Sequence, residues 1–163
     1  MPHTRIRAVP ATTILRDDHR RVQELLAEYE KIEDAGAADS KLELFLELRK
    51  ELTIHAEIEE KVFYPAIESL KGQDPRAGAR VRQALEEHEA VAVLLDELTD
   101  LQPEDDEFDA KVMELAERVT HHAEEEEEEM FPLFERLPKE RQAEISEELR
   151  FRKVELTEAY DEE

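Results

Sequence analysis

The chain carries one pattern twice: a histidine, a glutamate four residues later and a proline ten residues after the histidine, as HAEIEEKVFYP from His55 and HAEEEEEEMFP from His122. In an α-helix, residues i and i+4 lie on one face a turn apart, so His55 points with Glu59 and His122 with Glu126. Apolar residues at helical spacing run through both pairs. Phe45, Leu48, Leu52, Val62 and Ala66 flank the first, and Phe108, Val112, Leu115, Val119, Met130 and Leu133 flank the second. Each pair therefore interrupts a core-facing stripe. Burying an unpartnered carboxylate is costly, and no arginine or lysine shares those stripes, so a fold that encloses both pairs requires a compensating cation.

The repeat extends beyond the two pairs. HRRVQELL at His19 aligns with HEAVAVLL at His88, matching Val22 to Val91, Leu25 to Leu94 and Leu26 to Leu95. Spacing predicts a first helix from Thr13 to about Glu33, with Leu15, Val22, Leu26 and Tyr29 inward. AGAAD breaks the chain, with Asp39 or Ser40 as the next N-cap, and Pro65 kinks or stops the second helix. In KGQDPRAG, Asp74 and Pro75 form a cap and first turn for a third helix running to about Asp100, with Val81, Leu85, Leu95 and Leu98 on its apolar face. The fourth follows QPEDD. Pro138 opens a last helix, roughly 138 to 158, whose seam of Ile145, Leu149 and Leu156 suits it to cap the bundle or to mediate self-association.

A duplicated helical hairpin with short connections predicts an all-α fold, an antiparallel up-down-up-down four-helix bundle with an additional C-terminal helix. The expected organisation is a flexible N-terminus over 1–12, the bundle over 13–137, and the C-terminal helix with an acidic tail over 138–163. Composition agrees: three glycines among 163 residues, 41% charged and 40% apolar, and few aromatic residues leave little scope for a sheet. The net charge of -23 opposes nucleic acid and anionic membranes as partners. The absence of cysteine excludes disulfides, thiolate metal sites and cysteine nucleophiles. With no signal-peptide core and no membrane-length apolar run, the expected location is the cytoplasm, as a monomer or weak homodimer.

His19 and His88 add one imidazole from each remaining helix, completing a set of His19, His55, Glu59, His88, His122 and Glu126. Six ligands suit two metals, each held by two histidines and bridged by both carboxylates. Imidazole and carboxylate without thiolate favour two iron ions, with an oxide or hydroxide bridge; manganese is the second choice. The positions left open would take dioxygen or hydrogen peroxide.

The ordered set of His, HxxxE with its proline, His, and HxxxE with the same proline resembles the hemerythrin-like HHE cation-binding family over residues of about 13 to 135. The resemblance implies a non-haem di-iron four-helix bundle whose ligands map onto those six residues. It departs from the oxygen-carrying hemerythrins, which have HxxxH on the third helix where this chain has Ala92, and HxxxxD on the fourth. The resemblance is therefore with the carboxylate-richer members, which implies oxygen or peroxide sensing or peroxide breakdown. Iron storage, sensing or donation without turnover is the alternative, and reversible oxygen carriage a third.

His121 competes with His122 as a ligand, using Glu125 as its i+4 partner, but the repeat aligns His121 with Ile54 and assigns it at most a supporting hydrogen bond. Glu124, Glu125, Glu127, Glu128 and Glu129 are expected on a solvated helix face, because successive residues turn by about 100° around the axis. Tyr29 and Tyr64 are assigned to packing, with a buried phenol near iron that donates a hydrogen bond or an electron as the alternative; Met113 and Met130 are assigned to packing, and His3 to no role.

Overall fold

The computed structural model describes residues 9–32 and 37–162. Helix α1 spans Ala11–Glu30. Helix α2 (Ala38–Ile58) continues through a π-helical turn, Glu59–Phe63, into one more α-helical turn, Tyr64–Glu68. Helix α3 spans Pro75–Thr99. Helix α4 (Asp106–Glu125) repeats the device, with a π-helical turn at Glu126–Met130 and an α-helical turn at Phe131–Phe134. Helix α5 spans Lys139–Asp161. No strand occurs among the described residues. The hairpins α1/α2 and α3/α4 assemble into a four-helix bundle, and α5 packs along α1 and α2 rather than projecting away.

The π turns follow from the prolines. Pro65 and Pro132 lack the N–H that an α-helix needs there, and their rings would meet the carbonyl four residues earlier. The chain answers by closing a wider turn, so that the N–H of Tyr64 donates to the carbonyl of Glu59 and that of Phe131 to Glu126, five residues back. One residue is absorbed in each turn. Side chains beyond it are displaced by one position around the axis relative to a regular helix.

Two apolar clusters fill the bundle. One gathers Leu15, Ile58, Phe63, Ile67, Val81, Phe131, Phe134, Ile145 and Leu149. The other gathers Val22, Leu26, Phe45, Leu52, Leu98, Phe108, Leu115 and Val119. Asp74 caps α3 by accepting from the N–H of Arg76 at 3.0 Å and is held from the other half of the chain by Arg136 at 2.7 Å. The first N–H of α1, on Ala11, donates to the Ser146 hydroxyl of α5 at 2.8 Å.

Several expectations are corrected. The cap of α2 is Ala37, with Asp39 inside the first turn. Ala84 rather than Leu85 faces the core of α3, because the run Val81, Ala84, His88, Val91, Leu95 follows the helical period and leaves Leu85 40% exposed. Met113 is exposed, unlike Met130. Ala11 and Thr12 are already buried at the start of α1, while most of the stretch expected to be flexible, His3 with it, and the first two residues of the AGAAD break lie outside the described residues. No described helix is long and apolar enough to cross a membrane.

Since Leu149 is fully buried, Leu149→Ala is expected to cost about 2–5 kcal/mol in urea unfolding. Loss of less than ~1 kcal/mol would mean that α5 is not part of the cooperative unit.

Candidate metal centre

His19 on α1, His55 and Glu59 on α2, His88 on α3, and His122 and Glu126 on α4 converge between the two apolar clusters. Their Nε2 atoms all turn inward. His19 Nε2 lies 3.0 Å from Glu126 Oε1, and His55 Nε2 lies 3.2 Å from Glu59 Oε1 and 3.9 Å from Glu126 Oε1. Opposite them, His88 Nε2 is 3.0 Å from Glu59 Oε1 and His122 Nε2 is 3.3 Å from Glu126 Oε2. Two donor groups result: His19, His55, Glu59 and Glu126, then Glu59, His88 and His122. Glu59 belongs to both, and the two oxygens of Glu126 reach one histidine of each group.

These separations suit a cation. Metal–donor bonds of about 2.1 Å set at right angles put neighbouring donor atoms ~3 Å apart. Two buried side-chain atoms at this point, His55 Nε2 and Glu59 Oε2, have no hydrogen-bond partner, the first because its approach to Glu59 lacks hydrogen-bond geometry. A buried polar atom without a partner is expensive, and a shared cation would satisfy both.

The outward Nδ1 atoms repeat a second rule. His55 Nδ1 meets Asp18 at 2.8 Å, His122 Nδ1 meets Glu87 at 3.3 Å, His88 Nδ1 meets Glu60 at 2.8 Å and His19 Nδ1 meets Glu127 at 3.0 Å. Each partner is a sequence neighbour of a central residue: Asp18 and Glu87 precede His19 and His88, and Glu60 and Glu127 follow Glu59 and Glu126. A carboxylate on Nδ1 sets the tautomer and ring orientation that leave Nε2 free to bind a metal. Glu127, a third exposed on the expected helical face, thus also supports a central histidine. Glu124 and Glu128 are exposed as expected. His121 is also exposed, pairing with Glu125 at 2.9 Å and supporting none of the central histidines.

Tyr64 was expected to pack, yet its hydroxyl enters the centre. It lies 3.1 Å from Glu59 Oε1, 3.1 Å from His88 Nε2, 3.2 Å from His122 Nε2 and 2.8 Å from Glu126 Oε2. The π turn accounts for this, because one absorbed residue brings Tyr64, rather than Phe63, onto the face of Glu59. The proline six residues after the glutamate was the available signal. In the other repeat Phe131 occupies the equivalent place, stacked on His19 with ring centroids 6.1 Å apart and no hydroxyl to offer.

Electrostatics mark the same spot. Burial opposes charging of His55, but the carboxylates of Glu59 and Asp18 outweigh it and hold the imidazolium well above its usual pKa. His122 is likewise raised, against burial, by Glu126, Glu59 and Glu87, and His88 by Glu59. Burial would raise Glu59, yet His55 and its other partners hold it well below the carboxylate range. Burial, then Glu59 and Glu126, push the Tyr64 phenol up. Protons here occupy positions that a cation would take.

Beside the histidines lies a cavity of about 50 Å³. Val22, Leu52, Val91 and Val119 are among its walls, and all four central imidazoles reach it. Gln23, also at its edge, donates to Thr120 at 2.9 Å across the α1/α4 boundary.

A family model for the hemerythrin HHE cation-binding domain matches residues 11–134, which contain every residue of the centre. A crystal structure of a hemerythrin HHE cation-binding domain-containing protein from Mycobacterium kansasii shares the fold, with a TM-score of 0.77 at 22% identity, covering 93% of this chain and 89% of that one. A protein of Nostoc sp. described as a DNA nickase is 30% identical over 118 residues, 72% of this chain but 31% of that protein, so the chain spans about a third of that relative's length. The duplicated histidine and glutamate pattern, the bundle that gathers it and the family match coincide over the same residues, and the chain belongs to the hemerythrin HHE cation-binding domain family.

Proposed function

We propose that the chain binds two iron ions through His19, His55, Glu59, His88, His122 and Glu126, and binds dioxygen or peroxide beside them to sense it or turn it over. The observation that carries the reading is the pair of unpartnered buried atoms, His55 Nε2 and Glu59 Oε2, at the meeting point of both donor groups. Nitrogen and oxygen donors without thiolate suit iron, with manganese second. Such a pair, when bound, supplies Lewis-acid and redox chemistry at its open positions.

The protein's own part is to orient and to exclude water. Asp18, Glu60, Glu87 and Glu127 hold the imidazoles with Nε2 inward. The apolar cavity has room for a diatomic molecule and favours a small ligand over water, which supports ligand binding rather than iron storage alone. Tyr64, kept protonated by its surroundings, can donate a hydrogen bond on the His88/His122 side. Ala92, where the oxygen carriers have a further histidine, is exposed and supplies no ligand, which argues against reversible carriage. The nickase activity named for the Nostoc relative is not carried over, since most of that protein lies outside the match and a net charge of -23 opposes a polyanion.

Aerobically purified protein is expected to hold close to two irons per chain by metal analysis, and zinc alone or no metal would refute the assignment. His122→Ala should remove at least about half of that metal, by loss of a direct donor, whereas His121→Ala should remove almost none. A bound small ligand should perturb the iron absorption bands between argon and air or on adding peroxide; bands indifferent to both would leave only the storage reading.

Acidity provides a further check. Histidines raised above their ordinary 6.5 stabilise the metal-free chain fully below that value, and this contribution is lost as pH rises through their folded pKa values. A metal replaces those protons. The increase in Tm on iron loading should therefore be larger at about pH 9 than at about pH 6, and a constant or shrinking increment in thermal melts would contradict the linkage.

A further inference from the structure

The outer carboxylates differ in what stands behind them. Asp18 is 4% exposed, and while Oδ2 meets His55, Oδ1 accepts from the Lys153 ammonium of α5 at 2.5 Å. Glu127 is capped in the same way: Oε2 meets His19 and Oε1 accepts from Arg16 at 3.1 Å. Both carboxylates behind the His19/His55 group therefore carry a cation. Across the pseudo-twofold, Glu87 and Glu60 hold His122 and His88, yet among the described residues no lysine or arginine nitrogen lies within 4.0 Å of either. The repeat gives the reason. Arg16 corresponds to Leu85, three residues before His88 as Arg16 is before His19, and the duplicated part contains no second copy of α5.

A carboxylate on Nδ1 makes an imidazole a stronger donor, and a cation on that carboxylate withdraws part of the effect. Position decides the size of the withdrawal. Arg16 is 45% exposed and well screened, whereas Lys153 acts through a buried carboxylate. We propose that the two metal positions are unequal by construction, and that Lys153 is the positioning residue responsible: by drawing charge from Asp18 it weakens the push of that carboxylate on His55 and makes the His19/His55 position the electron-poorer one. An iron held by His19 and His55 would be the more easily reduced of the two, accepting the first electron from an external one-electron reductant. This rests on the di-iron reading above. It makes the C-terminal helix a working part of the centre rather than a cover.

The test is a reductive titration of the full chain loaded with ⁵⁷Fe, using dithionite with redox mediators and Mössbauer detection, on the wild type, Lys153→Met and Lys153→Arg. Lys153 is 34% exposed at its side chain, and methionine keeps much of the aliphatic stem. The wild type is expected to give two resolved reduction steps. In Lys153→Met the first step should move to lower potential with the second nearly unmoved, so the steps draw together; Lys153→Arg should behave as the wild type. A first step unmoved in Lys153→Met, an equal shift of both steps, or an arginine variant displaced as far as the methionine one would overturn the inference while leaving the di-iron reading intact. A wild type without two irons would overturn both.

Discussion

The fold depends on placing ionisable groups where an apolar core would otherwise be continuous. Four imidazoles and two carboxylates lie between two hydrophobic clusters, one built on Phe63, Phe131 and Phe134 and the other on Phe45, Phe108 and Leu115. A layer of this kind is tolerated only if its polar atoms are satisfied, because each unmet one opposes folding by an amount comparable to a whole hydrogen bond. The outer carboxylates satisfy the Nδ1 atoms from within the chain. Of the inner atoms, His55 Nε2 and Glu59 Oε2 are left without a partner that a cation would supply. The clusters on either side then have a second task, which is to keep water from supplying what the cation supplies.

Duplication explains the plan, and departures from it carry the chemistry. Asp18 and Glu87, Glu60 and Glu127, and the two HxxxE pairs obey one rule in both halves. Three correspondences break it. Tyr64 corresponds to Phe131, so only the His88/His122 side receives a hydroxyl. Arg16 corresponds to Leu85, and Lys153 has no counterpart, so only the His19/His55 side receives cations. A hydrogen-bond donor and the compensating charges are thus sorted to opposite ends of one small cluster.

Much of this was legible in the residues. The six central positions follow from their spacing and from the agreement of two repeats, and the stripes of α1, α2 and α4 follow from helical periodicity. Leu85 was misplaced because Val81 and Leu85 are also four apart, and only the full run through Ala84 and His88 fixes the phase. Tyr64 was assigned to packing because periodicity assumes a regular helix, and a π turn shifts every later residue by one. The contact of Glu127 with His19 was lost in a run of six glutamates, where composition says only solvated. Lys153 was beyond reach: its contact joins residues 135 positions apart, and no local pattern encodes the approach of α5 to α1.

The π turns also decide which parts of the chain can change length. Between Glu59 and Pro65, or between Glu126 and Pro132, the backbone holds one residue more than a regular helix would use. Adding a single residue to either interval would rotate everything beyond it, Tyr64 or Phe131 included, by about 100° relative to the glutamate. The connection over 71–73, exposed between the buried Leu70 and the capping Asp74, faces no such restriction, since a few added residues there leave both hairpins intact. The six-residue step from glutamate to proline is therefore a unit of length as much as of composition, and in such a chain an insertion of one alanine there would do more harm than the replacement of many of the residues within it.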